Sequence, residues 1–79
     1  MYYTYILQSQ IDKSTYVGFT ANPAERLIMH NKGSVDSTKN KQPWERIWIC
    51  GFPTKHQALE FEKYLKTGSG IAFMRKHLI

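Results

Sequence analysis

The sequence predicts an α+β fold, a small three-stranded antiparallel sheet flanked by two to three helices, and three observations predict it. Two short runs rich in tyrosine and β-branched residues, with a polar interval between them, open the chain. Two helix-start signals come later, each followed by an apolar stripe. A third β-rich run separates those helices, and three strands mixed with helices imply a layer of helices on a small antiparallel sheet.

Taken in order, Tyr2 to Gln8 and Thr15 to Thr20 are the first two strands, joined by the polar Ser9 to Ser14 as a hairpin. Alternation places Tyr3 and Tyr5 on one face, and Tyr16 can oppose them across the pair. Gly18 stands inside a β-branched run, where a glycine marks a bulge or a close approach of a ligand to the backbone.

Asn22 is a good N-cap with Glu25 three residues on, and Pro23 occupies the first helical position, where its missing N–H costs nothing. This helix runs to Asn31 and Gly33 ends it, with Leu27 and Ile28 as its buried side. Ser34 to Pro43 is a polar, basic loop. Trp44 to Cys50 alternates Trp44, Arg46 and Trp48 against Glu45, Ile47 and Ile49, a third strand with one aromatic and basic face and one aliphatic face. Gly51-Phe52-Pro53 breaks it. Thr54 with Gln57 repeats the capping signal, and Ala58, Phe61, Glu62 and Leu65 share one helical stripe up to Gly68. Ser69 caps a short final helix carrying Ile71, Phe73 and Met74.

The whole chain, residues 1–79, reads as one domain. Its 42% hydrophobic and 14% aromatic content exclude a disordered chain. A single cysteine, Cys50, leaves no internal disulfide, which points to a reducing, cytoplasmic compartment. No leader pattern or membrane-spanning run is present. The net charge is +5 and lies late in the chain. Residues 1 to 30 are neutral, whereas Lys32, Lys39, Lys41, Arg46 and Lys55 outnumber Asp36 and Glu45 by three over residues 31 to 56. Such a distribution suits a polyanion such as nucleic acid, and it equally suits solubility alone.

Among candidate chemical groups, Glu62 interrupts the apolar stripe of a helix that must pack inward. A carboxylate there is costly to desolvate unless it is paired or bound to a metal. Lys66 at i+4 offers the pairing. Arg26 and His30 are four apart and share a face, which can hold an anion or be a solvated surface. The histidines and cysteine lack zinc spacing. Nucleophile-elbow serines, phosphate-cradling glycine loops and proteolytic Cys/His pairs are also missing.

The ordered series Tyr16-Val17-Gly18, Asn22, Arg26-Leu27, His30-Asn31, Ala58-Leu59 and Glu62 resembles the signature of the GIY-YIG nuclease superfamily over nearly the whole chain. Tyr5 to Ser9, Ser37 to Asn40 before Pro43-Trp44, and Glu62 to Gly68 are similar to runs of its small, stand-alone branch. The departures are Tyr3-Thr4-Tyr5 where the family has Gly-Ile-Tyr, and Val17 in place of an isoleucine. The resemblance implies a metal-dependent endonuclease cutting phosphodiester bonds, in DNA rather than RNA. Structured or single-stranded DNA is the expected form, because so small a domain offers little area for base readout.

Residue by residue, the resemblance implies that Glu62 binds one divalent cation, Mg²⁺ or Mn²⁺, and that Arg26 faces the scissile phosphate. Tyr5 and Tyr16 would sit beside the attacking water, with His30 as a further polar neighbour. Tyrosine is a poor base at neutral pH, so a cation must lower its pKa or its proton must pass onward. Tyr5 is assigned as general base and Tyr16 as water-orienting, with the reverse left open. Gly18 would let the backbone approach the reacting strand, and Lys39, Lys41 and Arg46 would grip flanking phosphates. Longer members carry separate targeting domains, so substrate recognition would fall to a protein partner. The competing readings are a non-catalytic nucleic-acid-binding module of the same fold, which stacks bases on its aromatic faces, and a protein-interaction domain.

Overall fold

The computed structural model describes every residue from Met1 to Ile79. Its elements run β1 (Tyr2–Ser9), β2 (Thr15–Thr20), α1 (Pro23–Asn31), β3 (Trp44–Phe52), α2 (Lys55–Leu65) and α3 (Gly68–His77). The sheet order is β2-β1-β3, antiparallel throughout, so the hydrophobic β1 lies at the centre. Thr4, Tyr5, Ile6 and Leu7, four consecutive residues of β1, are buried because both faces of this strand are covered.

One face carries Ile6 and Val17 against Leu65 and Met74, with Trp48 and Phe61 at its margin, so α2 and α3 cover it. The other carries Tyr5, Leu7 and Trp44, flanked by Tyr16 and by Leu27 of α1. Each fully buried Ile or Leu contributes roughly 1.5–3 kcal/mol, which a chain of this length divides between two thin cores rather than one.

The third strand departs from the alternation expected of it. Leu7 pairs with Arg46 while Ile6 pairs with Trp48, so Ile47 is an extra residue in a β-bulge. Trp44 therefore packs with Tyr5 and Leu7, Trp48 packs with the Ile6 core, and the two tryptophans lie on opposite faces. Nor does Gly51 end the strand. It pairs with Tyr3 and Phe52 with Tyr2, because the ladder continues as far as β1 extends and stops at Pro53.

The helix-start signals hold where they were placed. Asn22 Oδ1 accepts from the Glu25 N–H and its Nδ2 donates to Glu25 Oε2, a reciprocal cap. Thr54 accepts from the Gln57 N–H. Gly33, at φ 76°, closes α1 with its N–H on the His30 carbonyl and the Ser34 N–H on that of Met29. The last helix is longer than expected. Thr67, not Ser69, is its cap, accepting from the Gly70 N–H, so α2 ends at Leu65 and α3 runs ten residues.

The loop after α1 is tied to the sheet rather than hanging free. Ser9 donates to the Lys41 carbonyl at 2.7 Å, and the Asn31 side chain grips Trp44 through its N–H (2.6 Å) and its carbonyl (3.1 Å). No helix is long and apolar enough to cross a membrane.

Candidate active site

On the α1 face of the sheet, β1, β2 and α1 bring four polar side chains together. Tyr5 Oη lies 2.9 Å from His30 Nε2. The Tyr16 ring stands 6.5 Å from that of Tyr5 and 5.2 Å from that of His30, edge-on to the imidazole. Arg26, one turn before His30 on α1, brings its charge close to both the Tyr5 phenol and the imidazole. Tyr16 is not directly opposite Tyr5 in the ladder. Gly18 holds that position and Tyr16 pairs with Leu7, so the two phenols meet diagonally.

That register gives Gly18 a different role from the one expected. A Cβ on Gly18 would collide with Cζ and Oη of Tyr5, so the space in front of the glycine is filled by the phenol and not by an approaching ligand strand. The missing side chain lets Tyr5 lie across β2 toward His30. Gly18→Ala is expected to push the Tyr5 ring off His30 at a cost of about 1–3 kcal/mol, read as a lower urea midpoint and a changed Tyr5 ring signal by NMR.

His30 is wholly buried, so the surface-histidine reading fails, and it is Ile28, 54% exposed, that faces outward from α1. Helix phase explains the exchange. Leu27 and His30 are three apart and share the inward side, and the loop carrying Thr38 folds over them. His30 Nδ1 contacts Thr38 Oγ1 at 2.7 Å, and Thr38 Oγ1 donates weakly to the Val35 carbonyl at 3.4 Å. Sequence reading passed over Thr38, since a polar loop residue gives no signal of burial.

Burial and then the Arg26 charge hold the His30 pKa down at about 4, so the ring is neutral at pH 7. The unfolded chain, with histidine near ~6.5, binds more protons than the folded one between these values, so stability rises with pH there. The full contribution is present above pH ~6.5 and is lost progressively toward pH ~4, a difference of roughly 3 kcal/mol. Urea midpoints from pH 4 to 7 should therefore climb in the parent chain and flatten over that window in His30→Asn.

Burial, the largest influence, raises the Tyr5 phenol above its ordinary pKa; Arg26 offsets this in part, and the neighbouring Tyr16 and Glu62 charges add to the rise. The phenol therefore stays protonated at neutral pH. Of the two ways a tyrosine can serve as a base, the Tyr5–His30 contact at 2.9 Å provides for onward passage of its proton.

Glu62 stands on α2, the helix that covers the face of the sheet opposite α1. Its carboxylate, 18% exposed, accepts from Lys66 Nζ at 3.1 Å, and the same ammonium lies 5.9 Å from the centre of the Tyr16 ring. Lys66 thus links the carboxylate to the tyrosine cluster, and the Glu62 charge is felt at the Tyr5 phenol. Of the compensations the sequence offers for this carboxylate, pairing with Lys66 at i+4 is the one present here.

No trio of His, Cys, Asp and Glu side chains gathers anywhere as a ready metal cage. Glu62 fits a hard divalent cation only as a single carboxylate, with water and a substrate phosphate completing the oxygen shell, an arrangement Mg²⁺ accepts. One donor is conspicuously free. Arg26 Nε is buried and has no hydrogen-bond partner, which costs stability until an acceptor arrives.

The basic residues proposed for flanking phosphates divide. Lys41 pairs with Asp12 at 3.1 Å and Lys39 with Asp36 at 3.7 Å, whereas Arg46 is exposed with no carboxylate partner. Ser14 first and Lys41 second hold the Asp12 carboxyl well below the usual carboxylate range, so Lys41 fastens the loop to the β1–β2 hairpin.

Known proteins are similar to this chain in sequence and in fold. The chain is 46% identical over 67 residues to the structure-specific endonuclease subunit SLX1 of Phaeosphaeria nodorum, covering 77% of this chain and 18% of that protein. It is 39% identical over 67 residues to the human protein of that name, covering 78% and 24%. The chain thus spans about a fifth of the length of these relatives. The solution structure of the UPF0213 protein BH0048 from Bacillus halodurans superimposes with a TM-score of 0.58 at 26% identity, over 96% of this chain and 84% of the other. The GIY-YIG catalytic domain model matches residues 1–71, which include the four clustered side chains and Glu62, and the chain belongs to the GIY-YIG catalytic domain family.

Proposed function

We propose that this domain is a divalent-metal-dependent endonuclease that hydrolyses phosphodiester bonds in DNA, branched or single-stranded DNA being its preferred form. The observation that carries the reading is the buried, unpartnered Arg26 Nε beside the Tyr5–His30 pair. A guanidinium with a free N–H is matched by a phosphate oxygen. The similarity to subunits of structure-specific endonucleases supports the substrate class, and supports a protein partner that supplies recognition. An intracellular setting follows from the substrate.

In the proposed reaction a water attacks phosphorus, held by the Tyr16 hydroxyl. Its proton passes to Tyr5 Oη while the Tyr5 hydroxyl proton moves to His30 Nε2, and the P–O3′ bond breaks to leave a 5′-phosphate. The Arg26 charge is the second cause of the low His30 pKa. A phosphate beside Arg26 cancels part of that repulsion and makes His30 a better acceptor when substrate is bound. Arg26 stabilises the charge building on the non-bridging oxygens. Glu62, if freed from Lys66, would hold the divalent cation, which would supply polarisation of the phosphate and neutralisation of the leaving 3′ oxygen.

The test is cleavage of plasmid, single-stranded and branched oligonucleotide DNA with Mg²⁺ or Mn²⁺. The parent chain should cut and Glu62→Gln should not. Because Lys66 already neutralises Glu62 in the metal-free state, a chelator should stop cleavage yet leave the melting temperature within a degree or two. Salt-sensitive binding without cleavage under either metal would replace this reading with a non-catalytic nucleic-acid-binding module.

A further inference from the structure

We infer that Thr38 sets the tautomer and the orientation of His30, fixing Nδ1 as the protonated nitrogen so that Nε2 presents a lone pair to Tyr5. Its bearing on catalysis rests on the nuclease reading; its bearing on the imidazole does not.

The assignment follows from counting donors and acceptors in a closed space. His30 is 0% exposed and Thr38 1%, so no water reaches the imidazole or the threonine hydroxyl to make up a deficit. Tyr5 Oη has His30 Nε2 as its hydrogen-bond partner at 2.9 Å. If Nε2 carried the proton, the bare Nδ1 would have to accept from Thr38, and the threonine hydroxyl hydrogen would be taken from the Val35 carbonyl. With Nε2 bare, the Tyr5 O–H donates to it.

The Nδ1–H that results needs an acceptor, and Thr38 Oγ1 lies 2.7 Å away. The threonine's one hydroxyl hydrogen is directed to the Val35 carbonyl, which leaves its oxygen lone pairs for Nδ1. The chain of donation runs from Tyr5 through His30 and Thr38 to Val35, each group used once. The threonine is itself held in place, as Trp44 Nε1 donates to its carbonyl at 2.9 Å and Asn31 clamps the Trp44 backbone. This is the geometry by which a third group orients an imidazole for proton transfer.

The experiment is a long-range ¹H–¹⁵N spectrum of the full chain, labelled on histidine, at pH 7. His30 should give a protonated Nδ1 and a bare Nε2; Thr38→Ser should keep this pattern, and Thr38→Val should change it to a mixture or to the Nε2–H form. In cleavage, Thr38→Val should lower kcat by about 10–100-fold, by analogy with the loss of an outer partner from a metal-bound histidine, with KM little changed and Thr38→Ser restoring the rate. An Nε2–H imidazole in the parent chain overturns the inference, even if Thr38→Val fails to fold. So does a valine variant with the parent's tautomer. A parent chain with the expected tautomer that cuts no DNA would overturn the nuclease reading and leave the role of Thr38 standing.

Discussion

Tyr5→Phe is expected to slow single-turnover cleavage by roughly 10²–10⁴-fold, the range for a positioned proton-transfer group. The substitution removes one oxygen and leaves the ring packed against Leu7 and Trp44. In the proposed reaction that oxygen links the attacking water to His30 Nε2, 2.9 Å behind it. Stability should fall as well, by about 1–3 kcal/mol, because a buried imidazole nitrogen loses its partner. The two effects are separable. Rates measured well below the variant's melting temperature report chemistry, and Tyr16→Phe, which leaves the Tyr5–His30 bond in place, should cost less. If Tyr16→Phe were the more damaging change, the two tyrosines would exchange roles.

Arg26→Lys should cost roughly 10²–10³-fold in kcat, as expected when one donor to transition-state charge is lost. Lysine keeps the charge, so the result isolates geometry. The guanidinium does two things at once, acting on the Tyr5 phenol through its charge and offering a buried Nε that has no partner. An ammonium on a flexible stem cannot hold both, and it has no donor at the Nε position. Substrate binding should weaken less than turnover, because attraction to a phosphate survives. A lysine variant with the parent's kcat would mean that the guanidinium does not face the reacting phosphate.

Much of the architecture was legible because local signals and the global fold agree. Asn22, Pro23 and Glu25 mark the start of α1 by their own chemistry, and Thr54 with Gln57 marks that of α2. What escaped depended on partners distant in the chain. Ile47 bulges because of the register with β1, and nothing in Trp44 to Phe52 announces a phase change. The third cap fell on Thr67 rather than Ser69, two residues of equal capping tendency separated by a glycine.

The site was legible as a set of positions and not as an arrangement. Tyr5, Tyr16, Arg26, His30 and Glu62 stood out by type and order. The depth of His30 could not be read from α1, since the Ser34 to Pro43 loop that buries it looks solvated. Gly18 was noticed for the correct reason, the cost of a glycine in a strand, but the neighbour that needs the space is Tyr5. Thr38 and Lys66 matter through side chains on other segments, the first beneath His30 and the second over Tyr16.

The supernumerary residue in β3 solves a problem of parity. A ribbon whose side chains alternate cannot hand one indole to the layer beneath it and another, four places later, to the layer above. By spending Ile47 outside the count, the strand resets its alternation midway, so Trp44 stays in the compartment of the tyrosines and Trp48 in that of the two C-terminal helices. A single edge element thereby furnishes an anchor to each half of the molecule, and the compartment around Tyr5 gains a large rigid wall that needs no segment of its own.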